Sequence, residues 1–148
     1  MSSSQYEYRG YVVSRPIGAH RVPQHIQNLV IRNHAKKYNL HYLLSGVEHR
    51  MDGSYLMLNQ ILKAVENIDG IIIYSLFMLP ADGGVRNRII NKFLKSGKQV
   101  HAAAEDIIIK NLGDCERLNK IFPINNALEA MSYKETLDGT IKFYAGNS

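Results

Sequence analysis

Hydroxyl, carboxylate and cationic side chains recur where short apolar runs of this sequence end. Ser14, Ser45 and Ser75 each follow such a run, and Glu105 follows a fourth. The adjoining loops add Arg15, His20, Arg21, Glu48 and His49. Arginines and a helix N terminus bind phosphate, whereas hydroxyls and a carboxylate hydrogen-bond to sugar hydroxyls. These residue types predict a site for a polyhydroxylated or phosphorylated small molecule.

The predicted site residues divide into two groups by role. The substrate-binding candidates are Arg15, His20, Arg21, Gln24, Ser45 and Ser75. The catalytic candidates are Glu105, His49 and Ser14. The carboxylate of Glu105 or the imidazole of His49 can move a proton at the reacting carbon. Two alternatives stay open: serines at strand ends often bond only to turn backbone, and Glu105 can pair with one of the arginines.

No motif in the chain calls for a metal or an organic cofactor. The six histidines show no paired metal-ligand spacing, and neither GxGxxG nor GxxxxGK[ST] occurs. We therefore expect no metal and no cofactor, and such a site suits isomerisation, epimerisation or elimination of water.

Apolar runs of strand length alternate with amphipathic runs of helical length, which is typical of an α/β fold with a parallel sheet. The predicted strands are 9–13, 40–44, 70–75 and 99–104, with 107–109 as an extension, and the predicted helices begin near Pro23, Ser54 and Asp82. The inward residues of the first helix are expected to be Ile26, Leu29, Val30 and Ile31. The pattern predicts a three-layer α/β/α domain with strand order 2-1-3-4, resolvase-like or flavodoxin-like.

The chain length fits one domain, 1–148, with its core in 8–110 and a helical extension in 111–148. Short helices at 114–121 and 126–132 and a late strand at 140–144 are expected in that extension. No secretion leader and no membrane span is recognisable, so we expect a cytoplasmic protein without membrane insertion.

The net charge of +5 favours anionic partners without selecting among them. Lysines and arginines are spread over the predicted helices without a run of five or more, which is typical of solvated helix faces. Nucleic acid is therefore not the expected partner. The expected partner is instead an anionic sugar that serves as the substrate. The expected assembly is a homodimer.

Two families share features with this chain. The order of elements over about residues 8–110, with Tyr11-Val-Val-Ser14 and Gln24, resembles the catalytic domain of serine recombinases (resolvases). The resemblance ends after the third strand, where resolvases carry an Asp-Arg-x-x-Arg pattern and this chain has Leu76-Phe-Met-Leu-Pro80. It implies a shared fold without strand transfer by Ser14.

A second resemblance rests on longer strings of residues, which are Tyr8-Arg-Gly-Tyr11, Ser14-Arg-Pro16, Arg21-Val-Pro-Gln24, Ser54-Tyr-Leu-Met-Leu58 and Tyr74-Ser-Leu-Phe-Met-Leu-Pro80. Through these strings most of the chain resembles the sporadic carbohydrate cluster protein family. That family is encoded among bacterial surface-polysaccharide genes, so the resemblance implies carbohydrate biosynthesis and a sugar phosphate or nucleotide sugar as substrate.

Two other functions remain as alternatives to an enzyme of this kind. The first is a noncatalytic subunit that docks on a glycan-biosynthesis enzyme through the apolar stretch 76–80. The second is a degenerate recombinase-like domain that still binds DNA.

Overall fold

A five-stranded sheet forms the centre of the fold. The computed structural model describes residues 6–17, 20–48 and 55–122. The strands are β1 (Glu7–Val13), β2 (His41–Glu48), β3 (Gly70–Ile73), β4 (Gln99–Ala102) and β5 (Ile107–Ile109). Their order is β2-β1-β3-β4-β5, and only β5 runs antiparallel to its neighbour. The predicted order of the four parallel strands is confirmed.

Helices cover both faces of this sheet, which confirms the three-layer prediction. They are α1 (Gln24–Lys37), α2 (Leu56–Lys63), α3 (Gly83–Lys95) and α4 (residues 112–122). On one face, Ile31 and Ala35 of α1 pack with Val12 and Ile72. The other three helices share a larger core with Tyr11, Val13, Ile71 and Ile73. No helix in the described part of the chain is long and apolar enough to cross a bilayer.

The end signals of the helices act largely as the sequence predicts. Asp82 Oδ1 accepts a hydrogen bond from Val85 N at 3.0 Å and so caps α3. Asn39 and Gly97 take positive φ angles of 55° and 75° after α1 and α3. Ser54, the expected cap of α2, lies outside the described residues, as do the helix expected at 126–132 and the strand expected at 140–144.

The buried face of α1 differs from the predicted one. Ile26 and Leu29 are 38% and 63% exposed, whereas Gln27 and His34 are buried beside Ile31. The helix is rotated because both polar side chains find buried hydrogen-bond partners, which makes their burial favourable. A stripe chosen by hydropathy alone misses such residues.

β2 is longer than predicted and contains a bulge. Arg9 pairs with Leu43 and Tyr11 pairs with Gly46, so two residues of β2 lie opposite Gly10. A Cβ atom on Gly10 would overlap the Oγ of Ser45. A larger residue at position 10 would force the Ser45 and Tyr42 side chains to move, so glycine is favoured opposite the bulge. Ser45 lies within the strand instead of after it.

A buried histidine pair joins α1 to β4. His34 Nε2 lies 2.8 Å from His101 Nδ1, and His101 Nε2 lies 3.0 Å from Gln99 Oε1. Because that amide oxygen can only accept, His101 Nε2 carries the proton and Nδ1 accepts from His34. Beyond His34, the Asp106 carboxylate binds Lys37 Nζ and the Tyr38 hydroxyl, each at 2.7 Å.

This pair predicts a loss of stability in mild acid. Burial, reinforced by His34 and Lys110, lowers the pKa of His101 from 6.5 to about 4, and burial also lowers the pKa of His34. Below pH 6.5, His101 binds a proton in the unfolded chain but stays neutral in the folded protein, so protonation favours unfolding. The contribution of neutral His101 to the free energy of unfolding is therefore complete above pH 6.5 and is lost as the pH falls towards 4. We expect a loss of about 2–3 kcal/mol, measured by urea unfolding at several pH values.

His101→Gln is the matched variant for that measurement. It is expected to flatten the dependence of unfolding free energy on pH between 6.5 and 4. An unchanged pH dependence in this variant would show that other groups cause the acid sensitivity.

Candidate functional site

Ser75 and Glu105 meet at the carboxyl ends of β3 and β4. Ser75 Oγ donates to Glu105 Oε2 at 2.8 Å, and the backbone N–H of Leu76 donates to Oε1 at 2.8 Å. Phe77 N–H in turn donates to Ser75 Oγ at 3.2 Å. The turn between β4 and β5 brings Glu105 to this position. Both carboxylate oxygens are hydrogen-bonded, so Glu105 holds the chain segment that leaves β3.

Ser14 lies at the end of the neighbouring strand, β1, and is bound to backbone. Its N–H and its hydroxyl both donate to the carbonyl oxygen of Glu48, each at 3.1 Å. A hydroxyl that donates in this way links the ends of β1 and β2. This is the kind of bond to turn backbone that was left open as the alternative for the serines.

Glu48 is the centre of a buried polar cluster at the same edge. From the sequence it is expected in a loop beside the site, without a catalytic or binding role. Its Oε2 accepts from the Tyr11 hydroxyl at 2.9 Å and from Leu58 N–H at 3.2 Å. Its Oε1 accepts from Met57 N–H at 3.1 Å. The carboxylate therefore satisfies two of the free N–H groups at the start of α2, as a capping residue does.

Aromatic rings and a guanidinium complete this cluster. Arg15 is buried, and its guanidinium carbon lies 4.6 Å from the centroid of the Tyr55 ring. Burial, together with the charge and hydrogen bond of Glu48, raises the pKa of Tyr11. Burial also raises the pKa of Tyr55, while Arg15 opposes that change. Through Glu48, the cluster joins the ends of β1 and β2 to the start of α2.

Gln27 fixes α1 to the end of β1. Its Nε2 donates to the carbonyls of Val13 and Val22, each at 2.8 Å, and its Oε1 accepts from Val13 N–H at 3.0 Å. The sequence interpretation chose Gln24, which is exposed. The useful signal was helical spacing, because Gln27 lies four residues before Ile31, the fully buried residue of this helix.

The remaining predicted site residues are distributed more widely. Ser45 bonds to Asn28 Oδ1 at 2.6 Å and to the Tyr42 hydroxyl at 2.7 Å, on the α1 side of the sheet. His20 and Arg21 are exposed in the loop before α1. His49 lies outside the described residues. The structure therefore pairs Ser75 with Glu105 and joins Ser14 to the carbonyl of Glu48.

The apolar stretch 76–80 does not form a docking surface, so that prediction is wrong. Leu76, Met78 and Leu79 are at most 4% exposed, and the Phe77 ring packs 5.2 Å from the Phe122 ring. The segment starts with a 3-10 turn (Leu76–Met78) that Ser75 caps. This turn directs the side chains into the core.

The first three helices carry an unbalanced charge. They contain no aspartate or glutamate, but lysine or arginine at positions Arg32, Lys36, Lys37, Lys63, Arg86, Arg88, Lys92 and Lys95. Arg86 is buried, where it donates to the carbonyls of Pro80 and Ala81. A solvated helix face normally mixes both signs, because oppositely charged neighbours stabilise a helix. These helices instead carry lysine and arginine with no acidic residue of their own, and among the described residues only Lys37 of this set forms an ion pair, with Asp106.

The exposed cations of α3 form one stripe. Arg88, Lys92 and Lys95 follow the i, i+4, i+7 spacing that places side chains along one face. Lys63 of α2 lines the same groove as Lys92, with a volume of about 440 Å³, and Asn59 and Gln60 add amide groups. Among the described residues, none of these four cationic side chains forms an ion pair or a hydrogen bond.

Two solved structures share this fold. The N-terminal catalytic domain of TP901-1 integrase has a TM-score of 0.57 and 16% identity, over 83% of this chain and 97% of that chain. A resolvase family site-specific recombinase from Streptococcus pneumoniae has a TM-score of 0.59 and 10% identity, over 93% of this chain and 99% of that one. At these identities the likeness shows the fold, and the resolvase-like α/β prediction is confirmed.

The comparisons also correct the functional expectations. No family model and no curated protein matches the chain, so the sporadic carbohydrate cluster resemblance is not supported. The similar structures are recombinase domains, which contradicts the expected sugar-modifying enzyme of carbohydrate biosynthesis, whether sugar phosphate or nucleotide sugar is its substrate. The expectation that nucleic acid is not a partner is corrected by the same finding.

Proposed function

We propose that this domain binds nucleic acid through the sugar–phosphate backbone and does not transfer strands. The observation that carries the proposal is the acid-free surface of α2 and α3, where Lys63, Arg88, Lys92 and Lys95 have no carboxylate partner among the described residues. Cations that are not neutralised within the protein release counterions from a polyanion when they bind it, which favours association. The recombinase fold and the cytoplasmic location we infer agree with such a partner.

The α3 side is favoured over the α1 side because two of the three lysine and arginine side chains of α1 already have partners within the protein. Lys37 pairs with Asp106 at 2.7 Å, and the Arg32 guanidinium lies 5.4 Å from the centroid of the Tyr42 ring. Lys63 and Lys92 instead flank an open groove together with two side-chain amides. Lysine, arginine and amide side chains are the groups that commonly contact phosphate and sugar.

The chemistry at the strand ends supports binding without catalysis. The Ser14 hydroxyl donates to a backbone carbonyl, and the segment after β3 is buried and apolar where the recombinase resemblance calls for arginines. A serine attacking phosphate needs a base and positive charge at the developing oxyanion. Ser14→Ala is therefore expected to bind duplex DNA as the unmodified protein does, and neither protein should form a covalent DNA adduct on a denaturing gel.

Two double variants of equal charge test the surface. Arg88→Gln with Lys92→Gln removes two charges from α3, and Arg32→Gln with Lys36→Gln removes two from α1 on the opposite face. In fluorescence anisotropy with a labelled duplex, the α3 variant should bind at least about tenfold more weakly and lower the salt slope by about 2, with a smaller loss for the α1 variant. Equal losses in both would contradict the assignment of the binding surface to α3.

A further inference from the structure

An apolar cavity lies beneath α2, at the opposite end of the sheet from Ser14 and Glu105. Its volume is about 390 Å³, within the range of small-molecule pockets. Met57 and Ile61 of α2 line the cavity, as does Ala64, which directly follows that helix. Leu43 of β2 and Ile68, which precedes β3, complete the apolar lining. The polar lining consists of Arg9, Gln60 and Asn67.

Arg9 occupies a position where an apolar residue is expected. Side chains alternate along β1, so that Tyr8 and Val12 pack on the α1 side while Tyr11 and Val13 pack on the α2 side. Arg9 therefore faces the α2 side from a strand with neighbours on both edges. Its partners in the sheet are Leu43 and Ile71, both of which contribute to the larger core.

No internal counter-ion explains this arginine. Within residues 6–17, 20–48 and 55–122, the Arg9 side chain forms no hydrogen bond or ion pair. Asp69, which precedes β3, directs its Oδ2 to Glu7 N–H at 2.7 Å. Arg9 is partly exposed where it lines the cavity, and none of its nitrogens is both buried and unbonded, so an anionic ligand in the cavity can reach the guanidinium.

We infer that this cavity binds a small organic anion with an apolar body, whose head group pairs with Arg9 while its hydrocarbon part contacts Leu43, Met57, Ile61 and Ile68. A carboxylate matches the planar guanidinium through two parallel hydrogen bonds. The amides of Gln60 and Asn67 can donate to the same oxygens. The cavity shares Gln60 with the basic groove between α2 and α3, but Arg9, Asn67 and the apolar lining lie outside that groove.

Octanoate is a suitable probe, with octanol and octylamine as matched neutral and cationic ligands. Isothermal titration is expected to show saturable octanoate binding at millimolar concentration, and NMR shifts should change at Leu43, Ile61 and Ile68. Arg9→Gln should weaken octanoate at least about tenfold and leave octanol unchanged, whereas Arg32→Gln on the other face should change neither.

A second variant keeps the test independent of Arg9. Ala64→Met places a longer side chain at the mouth of the cavity and should weaken octanoate and octanol alike. The inference is overturned by the absence of octanoate binding at millimolar concentration. It is also overturned if Arg9→Gln binds octanoate as tightly as the unmodified protein, or if octylamine binds better than octanoate.

Discussion

Replacing Glu48 with alanine is expected to lower the free energy of unfolding by about 3–5 kcal/mol, the largest effect we predict for a single side chain. The substitution leaves the Tyr11 hydroxyl and the backbone N–H groups of Met57 and Leu58 without their acceptor. It also removes the negative charge at the start of α2. Urea unfolding followed by circular dichroism measures the change.

Glu66→Ala is the matched control, because Glu66 is an exposed carboxylate next to the same helix. It should change stability by no more than about 0.5 kcal/mol. Tyr11→Phe removes one of the three donors, and combined with Glu48→Ala it should cost less than the sum of the two single changes. Additive losses would contradict the hydrogen bond between the two side chains.

Gln27→Leu is expected to cost about 3 kcal/mol, the second large effect. Leucine is similar in size but leaves the N–H and carbonyl of Val13 and the carbonyl of Val22 unpaired, and each buried unsatisfied group costs roughly 1–3 kcal/mol. Because these bonds join α1 to the end of β1, native-state hydrogen exchange should also accelerate at the Val13 amide.

Gln24→Leu provides a close control for this change, since it is the same substitution one turn earlier on the exposed side of α1. It should alter the free energy of unfolding by about 0.5 kcal/mol or less. If the two variants are equally stable, the buried amide network does not contribute as described.

Periodicity predicted the framework because it depends on local pattern. Strand-length apolar runs marked all five strands, and the end signals Asp82, Asn39 and Gly97 work as their backbone chemistry requires. The rule that parallel strands end at one edge of the sheet also directed attention to Ser75 and Glu105, which bond to each other. These features need no knowledge of the rest of the fold.

Contacts between distant residues could not be read in the same way. His34 and His101 are 67 positions apart, and neither histidine alone indicates a buried pair. Glu48 caps α2 only because the end of β2 lies beside the first turn of that helix. Ser45 was placed after β2, because the sequence gives no sign of a bulge that keeps the strand paired as far as Glu48.

Charge was visible in the sequence but was interpreted incompletely. The lysines and arginines of the helices were attributed to solvated faces, yet such faces usually include acidic residues that pair with them. The absence of aspartate and glutamate from α1, α2 and α3 is a property of the sequence. The absence of acidic residues indicates a binding surface only together with the structure, in which Arg88, Lys92 and Lys95 lie along one face of α3. Lys63 of α2 lines the same groove as Lys92.

The most direct test of nucleic-acid binding is the affinity of the unmodified protein for duplex DNA between about 50 and 200 mM salt. If the four cations at Lys63, Arg88, Lys92 and Lys95 contact phosphates, the logarithm of the association constant should fall with the logarithm of salt concentration at a slope of about −3.6. An affinity that does not change over this range, or no measurable binding at the lowest salt, would contradict the account.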